Sequence, residues 1–329
     1  MSSHVDQLAK HCLKYRQSDR QAANFQLLTS LALFFVLCCA MYHSLKIGYW
    51  LTLLLAFPTA GMVLRLFIIQ HDCGHGSFYS SQTANNWLGR CLSLFTLTPY
   101  AYWRRLHALH HASSSNLDKR GYGDIDTLTV SEYNARPYLK RLGYRIYRNP
   151  FFLTLVGGPI HFAVLQRLPL AFKQPSWQMW ASVMGLNLAM VLFYGALIWV
   201  IGWQSFLLLA APVTLIACSA GVWLFYIQHQ FEDTVWDRED NWDRKTTALY
   251  GSSYYALPKI LQWFTGNIGI HHVHHLCSAI PNYRLQQCLD EAPDLKKINV
   301  LTLRESFKYA TLSLWDEELR KLVPFPARI

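Results

Sequence analysis

Charge is what this sequence has least of: only 15% of its 329 residues are Asp, Glu, Lys or Arg, against roughly 25% in soluble chains. The shortage is concentrated in two windows. No charged residue occurs between Lys173 and Glu232, and Lys46 is the single one from Gln21 to Leu64. A bilayer crossing needs about 20 apolar residues in a helix, so each window holds two spans. The first divides into residues 25–43 and 48–69 around Lys46, the second into 178–200 and 206–227 around Gly202, Trp203 and Gln204. An ordinary soluble domain is excluded.

Other absences narrow the class further. The eight cysteines include no CxxC pair, which argues against a zinc or disulfide framework, and the adjacent Cys38 and Cys39 are poorly placed to bridge. The first twenty residues are polar and charged, without a short apolar core and a small-residue cleavage site, so no cleavable signal is expected. No internal repeat or low-complexity linker divides the chain, which reads as a single domain over 1–329. The zinc protease motif HExxH is missing, since Asp72 follows His71 and Ala108 follows His107.

What the sequence does have is basic charge and histidine. The net charge of +10 lies in segments flanking the spans: Lys10, Lys14, Arg16 and Arg20 before the first, and Arg104, Arg105, Lys119, Arg120, Lys140, Arg141, Arg145 and Arg148 between the hairpins. The positive-inside rule puts both on the cytoplasmic face and accounts for the charge better than nucleic acid does. Residues 86–103, interrupted by Arg90, and 149–170, interrupted by Gly157, Gly158, Pro159 and Arg167, suit helices lying in the interface. Residues 70–177 and 228–329 then form the cytoplasmic and interfacial part, in a cytoplasmic membrane with its site facing inward.

Ten of the fourteen histidines fall in four groups: His71 and His75; His107, His110 and His111; His229; and His271, His272, His274 and His275. Spacings of three and four residues return to one helix face, within about 60° of the starting direction. Each box can therefore aim several imidazoles at one point, whereas Cys73, Val273 and His272 point elsewhere. Eight face-matched histidines with His229 make nine nitrogen donors, too many for one metal. Zinc usually takes three or four protein ligands; two iron ions of higher coordination number would use about nine. A transporter would place its polar groups inside the spans, but these clusters sit at or beyond the span ends. His4, His11, His43 and His161 read as ordinary hydrogen-bonded residues, and Cys73 and Cys277 as structural. Asp118, Asp124, Asp126, Glu232 and Asp233 lie near the clusters, where ligand histidines commonly donate their second N–H.

HDCGH at His71, HALHH at His107 and HHVHH at His271 resemble the three histidine boxes of the membrane fatty acid desaturases, and QHQFE around His229 is similar to their extra ligand. The likeness continues through NLDKRGYGDIDTLTVSEY from Asn116, YRIYRNPF from Tyr144, TGNIGIHHVHHLCSAIPNYRL from Thr265 and LWDEE from Leu314, which look like the Bacillus-type acyl-lipid members. The resemblance implies an all-α integral membrane fold, with four transmembrane helices in two hairpins, interfacial helices, and a cytoplasmic helical cap holding a di-iron centre. It carries ligand roles to His71, His75, His107, His110, His111, His229, His271, His274 and His275. Phe225 stands where animal acyl-CoA relatives have an Asn acting through water, so that contribution is absent or replaced. With no fused cytochrome b5 domain, electrons are expected from a separate ferredoxin or flavodoxin. The implied reaction introduces a cis double bond into a fatty acyl chain, in membrane lipid and at the delta-5 position, using O2 and two iron ions (Fe2+/Fe3+). An unactivated CH2 has neither acidic proton nor leaving group, so a metal oxidant is needed. A fatty acyl or carotenoid hydroxylase or ketolase on the same scaffold is the alternative. The chain is expected to lie in a narrow apolar tunnel lined by Trp223, Phe225, Tyr226, Trp263 and Phe264.

Overall fold

The computed structural model describes residues 2–327, so Met1, Arg328 and Ile329, at the ends of the expected 1–329 domain, lie outside the described residues. Helix α1 (Ser2–Cys12) precedes α2 (Arg20–Ser44), which starts where the Asp19 carboxylate accepts from the backbone N–H groups of Gln21 and Ala22, donors that a helix start otherwise leaves free. After a short turn, α3 (Tyr49–His75) packs back along α2. Then come α4 (Gln82–Thr96), α5 (Tyr100–Ser113), α6 (Val130–Asn134), α7 (Tyr138–Tyr147) and α8 (Gly158–Ala163), followed by the second long pair, α9 (Trp177–Ile201) and α10 (Trp203–Gln228). Shorter helices complete the chain: α11 (Arg244–Tyr250), α12 (Lys259–Phe264), α13 (His271–Leu276), α14 (Asn282–Asp290) and α15 (Leu303–Tyr309).

Among the described residues, α2, α3, α9 and α10 are the helices long and apolar enough to cross a membrane. Three contain an expected span whole, and α3 holds the fourth except Gly48, which caps it instead. The main difference is at the end of α3, which runs past Ile69 to His75 because nothing in HDCGH breaks a helix until Gly76, left-handed at φ 72°, closes it. The apolar run thus delivers the first box on its own last turn. Helix α3 is also the axis of the bundle: half of its most apolar stretch is buried in protein, against 6% for α9. Trp199, Val191, Leu188 and Trp177 on α9 stand exposed, a surface suited to lipid rather than water.

The stretch 86–103 is divided between α4, which packs along α3, and α5, with Leu97 left-handed between them and Pro99 opening α5. The stretch 149–170 breaks into a π-helical turn (Phe152–Gly157), the six-residue α8 and a 3-10 turn (Leu165–Arg167), none long enough to cross a bilayer. Gly158 permits the contact with α10, since a Cβ there would lie 2.9 Å from the Cys218 carbonyl oxygen.

The all-α expectation is corrected in part by two small sheets in the polar half. β1 (Leu128–Thr129) pairs parallel with β4 (Leu312–Asp316), which pairs antiparallel with β5 (Lys321–Pro324); β2 (Tyr254–Ala256) pairs parallel with β3 (Val300–Thr302). Strands of two to five residues are too short to show a period-two pattern. Arg148 is a second correction. Counted above with the flanking basic charge, it is buried, donating to the carbonyls of Asp126 and Leu312 and to the side chains of Thr127 and Gln230.

Candidate metal centre

Three helices and one helix end bring the histidines together. The last turn of α3 supplies His71 and His75, α5 supplies His107, His110 and His111, the C-cap of α10 is His229, and α13 supplies His271, His274 and His275. Both first backbone N–H groups of α13 donate to the Ser253 carbonyl, at 3.1 Å each, which fixes the register of the third box. The nine imidazoles sort into two groups. His71, His75, His107, His111 and His274 form one; His110, His229, His271 and His275 form the other; within each, one nitrogen per ring lies within 4.8 Å of all the others. The groups abut, the His111 and His275 rings stacking with centroids 4.2 Å apart.

Inside the first group, the Nε2 atoms of His75 and His107 are 3.0 Å apart, His107 and His111 3.1 Å, and His111 and His274 3.0 Å. Inside the second, His110 and His275 are 3.2 Å apart, His275 and His271 3.1 Å, and His271 and His229 3.1 Å. Two nitrogens each about 2.1 Å from one ion lie about 3.0 Å apart at right angles and about 3.4 Å apart at tetrahedral angles. The observed spacings lie at or between these two values, so each group could hold an ion.

The protonation pattern fits as well. His110 Nδ1 is bonded to the Asp124 carboxylate, His229 Nδ1 lies 3.0 Å from the Gly251 carbonyl, and His71 Nδ1 lies 3.2 Å from Asp72 Oδ1. Each partner only accepts, so Nδ1 carries the proton and Nε2 offers its lone pair. Burial, reinforced by neighbouring imidazoles, holds His107, His111, His271, His274 and His275 well below the ordinary imidazole range, and burial pushes His229 down to about 3. All six are neutral near pH 7, the form that binds metal. The buried Nδ1 atoms of His271 and His274 have no protein partner.

His272 points away from both groups, and its Nε2 pairs with the Leu295 carbonyl at 2.9 Å. Of the five nearby carboxylates, Asp124 alone reaches a ring. Asp118 pairs with Arg238 and Glu232 with Lys321, and no ring contact joins Asp126 or Asp233 to the clusters. The residue that sequence reasoning missed is Asp72. It is buried, and besides His71 it accepts from the backbone and side-chain amide of Asn282 at 2.6 and 2.8 Å, tying box one to α14. Its only signal was an acid immediately after a box histidine. Cys73 is packed in a hydrophobic core and Cys277 lies partly buried against another. His11 bonds the Cys288 carbonyl, while His4 and His43 are exposed.

A cavity of about 340 Å³ runs between α3, α5, α8 and α10 and reaches His71, His107 and His271. Of the expected aromatics only Phe225 lines it; Phe67, Trp103, Tyr147 and Phe162 supply the rest of its large aromatic surface. Trp223 instead packs on Phe307, Tyr226 donates to the Ala310 carbonyl, Trp263 lies under Arg65, and Phe264 sits close against Gly61. Proximity in sequence to a box did not reveal which side of the helix faces the cavity. Trp103 stacks on His107 at 4.6 Å, so the same wall touches cavity and histidines.

Four candidate spans, two histidine groups that could each hold a metal ion and a mainly apolar cavity reaching them are the features on which comparison with known proteins turns. Residues 48–304 match the family model described as fatty acid desaturase. A fatty acid desaturase of Bacillus subtilis (strain 168) is 43% identical over 321 residues, covering 98% of this chain and 91% of the relative. The sn-1 acyl-lipid omega-3 desaturase (ferredoxin) of Synechocystis sp. is 31% identical over 76% of this chain and 68% of its own length, and the sn-1 oleoyl-lipid 12-desaturase of Anabaena variabilis is 26% identical over 86% and 78%. The chain belongs to the fatty acid desaturase family and is an oxidoreductase. All these relatives are desaturases, which disfavours the hydroxylase or ketolase alternative.

Proposed function

We propose that this protein is an integral membrane acyl-lipid desaturase, in which the nine histidines hold two iron ions and O2 is consumed to place a cis double bond in the acyl chain of a membrane lipid, at delta-5. The observation that carries this reading is the convergence of both histidine groups on the inner end of one apolar cavity. Bound iron, with O2, two electrons and two protons, supplies the oxidising power to remove two hydrogens from neighbouring CH2 carbons, giving the alkene and two waters.

The chain's own residues do the rest. Asp124 and the Gly251 carbonyl hold His110 and His229 as Nδ1–H tautomers, so their Nε2 lone pairs face inward before any ion arrives. The walls formed by Phe67, Trp103 and Phe162 exclude water and hold the acyl chain extended beside His71 and His107. Positioning is the specificity problem here, because successive CH2 groups are chemically alike.

In this reading the domain spans 1–329, the bilayer is crossed near 25–43, 48–69, 178–200 and 206–227, and the two hairpins leave all four clusters on one membrane side, which we assign to the cytoplasm. Electrons come from a separate donor, ferredoxin or flavodoxin; one relative carries ferredoxin in its name. Expression in a host lacking unsaturation at the relevant carbon, with mass spectrometry of its fatty acids, tests the reaction. A new monounsaturated chain is expected; an unchanged profile, with the protein present in the membrane, refutes it. Single cysteines at Lys46, Lys119 and Lys296, all exposed, test the topology: an impermeant thiol reagent should reach only position 46 in intact cells.

A further inference from the structure

Helices α3 and α10 pack side by side, and both end at the histidines. The cavity wall can be followed back along each, from His71 to Val63 on α3 and from Gln228 to Ala217 on α10. At a rise of 1.5 Å per residue these runs are about 12 and 16.5 Å long. The far end, at Val63, Leu64, Ala217 and Cys218, offers no side-chain nitrogen or oxygen and lies within two of the four candidate spans. An ester and headgroup placed there would lose water without gaining a partner. The far end therefore takes the methyl end of an acyl chain, and the carbons beyond the reacting pair run toward it.

Gly221 stands on this path. It lies inside α10, where only proline is less favourable than glycine, and its φ is not positive. A Cβ added there meets one atom of another element within 4 Å, Leu64 Cδ2 at 3.4 Å, an ordinary contact. Packing between helices does not call for a glycine here, in contrast to Gly61, where a Cβ would lie 2.5 Å from the Phe264 ring. What the missing side chain leaves is room in the cavity, since Gly221 and Leu64 both line it. Leu64 is seven residues before His71 and Gly221 seven before Gln228, so the pair sits about 10 Å from the histidine end by the helical rise. That is about eight bonds of an extended chain at roughly 1.2 Å per bond.

We propose that Gly221, facing Leu64, is a specificity-determining residue that lets an acyl chain extend past this level, and so sets how many carbons lie between the new double bond and the methyl end. This rests on the acyl-lipid desaturase reading above. The test expresses wild type, Gly221→Ala, Gly221→Leu and Gly185→Leu in a host supplied with saturated acids of several lengths. Protein amounts are matched, and chain length and double-bond position are read by mass spectrometry. Gly185 is the control, an exposed glycine of α9 with no atom of another element within 4 Å of an added Cβ and no part in the cavity wall. Relative to products with fewer methyl-side carbons, the wild-type product should fall about fourfold in Gly221→Ala, the worth of one displaced CH2. In Gly221→Leu it should fall about tenfold or more, while Gly185→Leu keeps the wild-type distribution. Both changes at 221 introduce better helix formers, so the variants are expected to accumulate.

An unchanged distribution in Gly221→Leu overturns the proposal, as does an equal shift in Gly185→Leu. A shift that shortens the ester side instead of the methyl side also overturns it, because the chain would then lie the other way round. Should Gly221→Leu give no product, an unchanged distribution in Gly221→Ala decides against it. No product from wild type would instead remove the desaturase reading itself.

Discussion

The two histidine groups are built differently. The group around His75 has five rings, delivered by α3, α5 and α13; the group around His229 has four, delivered by α5, the end of α10 and α13. Each has one carboxylate behind it, but Asp72 is shared with Asn282 on α14, whereas Asp124 lies beside the cavity and pairs with His110. Beside the smaller group stands Phe225, its ring 5.1 Å from His110 and 5.9 Å from His229, where it can offer no ligand atom. An ion held by the smaller group would have more of its coordination sphere free. The larger one is the better anchored to the fold.

Ligand removal should break this comparison most severely. His229→Ala leaves three rings in its group and His75→Ala leaves four, so both should lose activity by more than the roughly 10- to 100-fold of an outer-shell change. After equal exposure to chelator, purified His229→Ala should retain less iron than His75→Ala. Equal retention would remove the asymmetry, and full activity in either would remove the ligand assignment. Next, Asp124→Asn should lower activity or iron affinity about 10- to 100-fold with little change in thermal stability. Asp72→Asn should do both, because it also loosens α14, and identical behaviour of the two would show that the carboxylates are equivalent.

A smaller effect is expected at His272, outside both groups. His272→Phe leaves the Leu295 carbonyl with only the Ile298 N–H at 3.4 Å and should cost about 0.5–1.5 kcal/mol, read as a lower unfolding midpoint in detergent with iron content unchanged. Loss of iron there would put the register of the third box in error. The smallest effect per residue is acid sensitivity of the metal-free protein. Burial lowers His229 from 6.5 to about 3 and His272 from 6.5 to about 4. The unfolded chain then binds more protons, so the stabilisation is full above pH 6.5 and falls as the pH drops toward those values. Denaturant midpoints at pH 7.5 and 5.5 should differ by no more than about 1.4 kcal/mol per histidine; a midpoint that rises in acid would contradict the burial.

The spans and boxes were legible in the sequence because both are local patterns: an uncharged run fixes a helix long enough to cross, and three- and four-residue spacing fixes a face. What depends on distant partners was not. The acceptor for His229 is a backbone carbonyl at Gly251, invisible to any reading of side chains. Asp72 is recognisable only once Asn282 is brought to it across 210 residues of chain. The cavity wall was misassigned for the same reason, since Trp223, Tyr226, Trp263 and Phe264 were chosen by closeness to a box, whereas Phe67 and Phe162 come from the middle of α3 and from a segment read only as interfacial. His161, read as an ordinary hydrogen-bonded residue, does pair with Gln166 and also lines the cavity.

Both groups take rings from the first half of the chain and from α13. A growing chain that has displayed His71, His75, His107, His110 and His111 still holds neither complete set, and α9 and α10 must be synthesised before the third box appears. Neither binding set can close until His274 and His275 have left the ribosome. If the two groups hold ions as proposed, capture is a late event in biosynthesis, coming after all four long helices have been made, and a ribosome stalled before residue 270 would leave both groups incomplete.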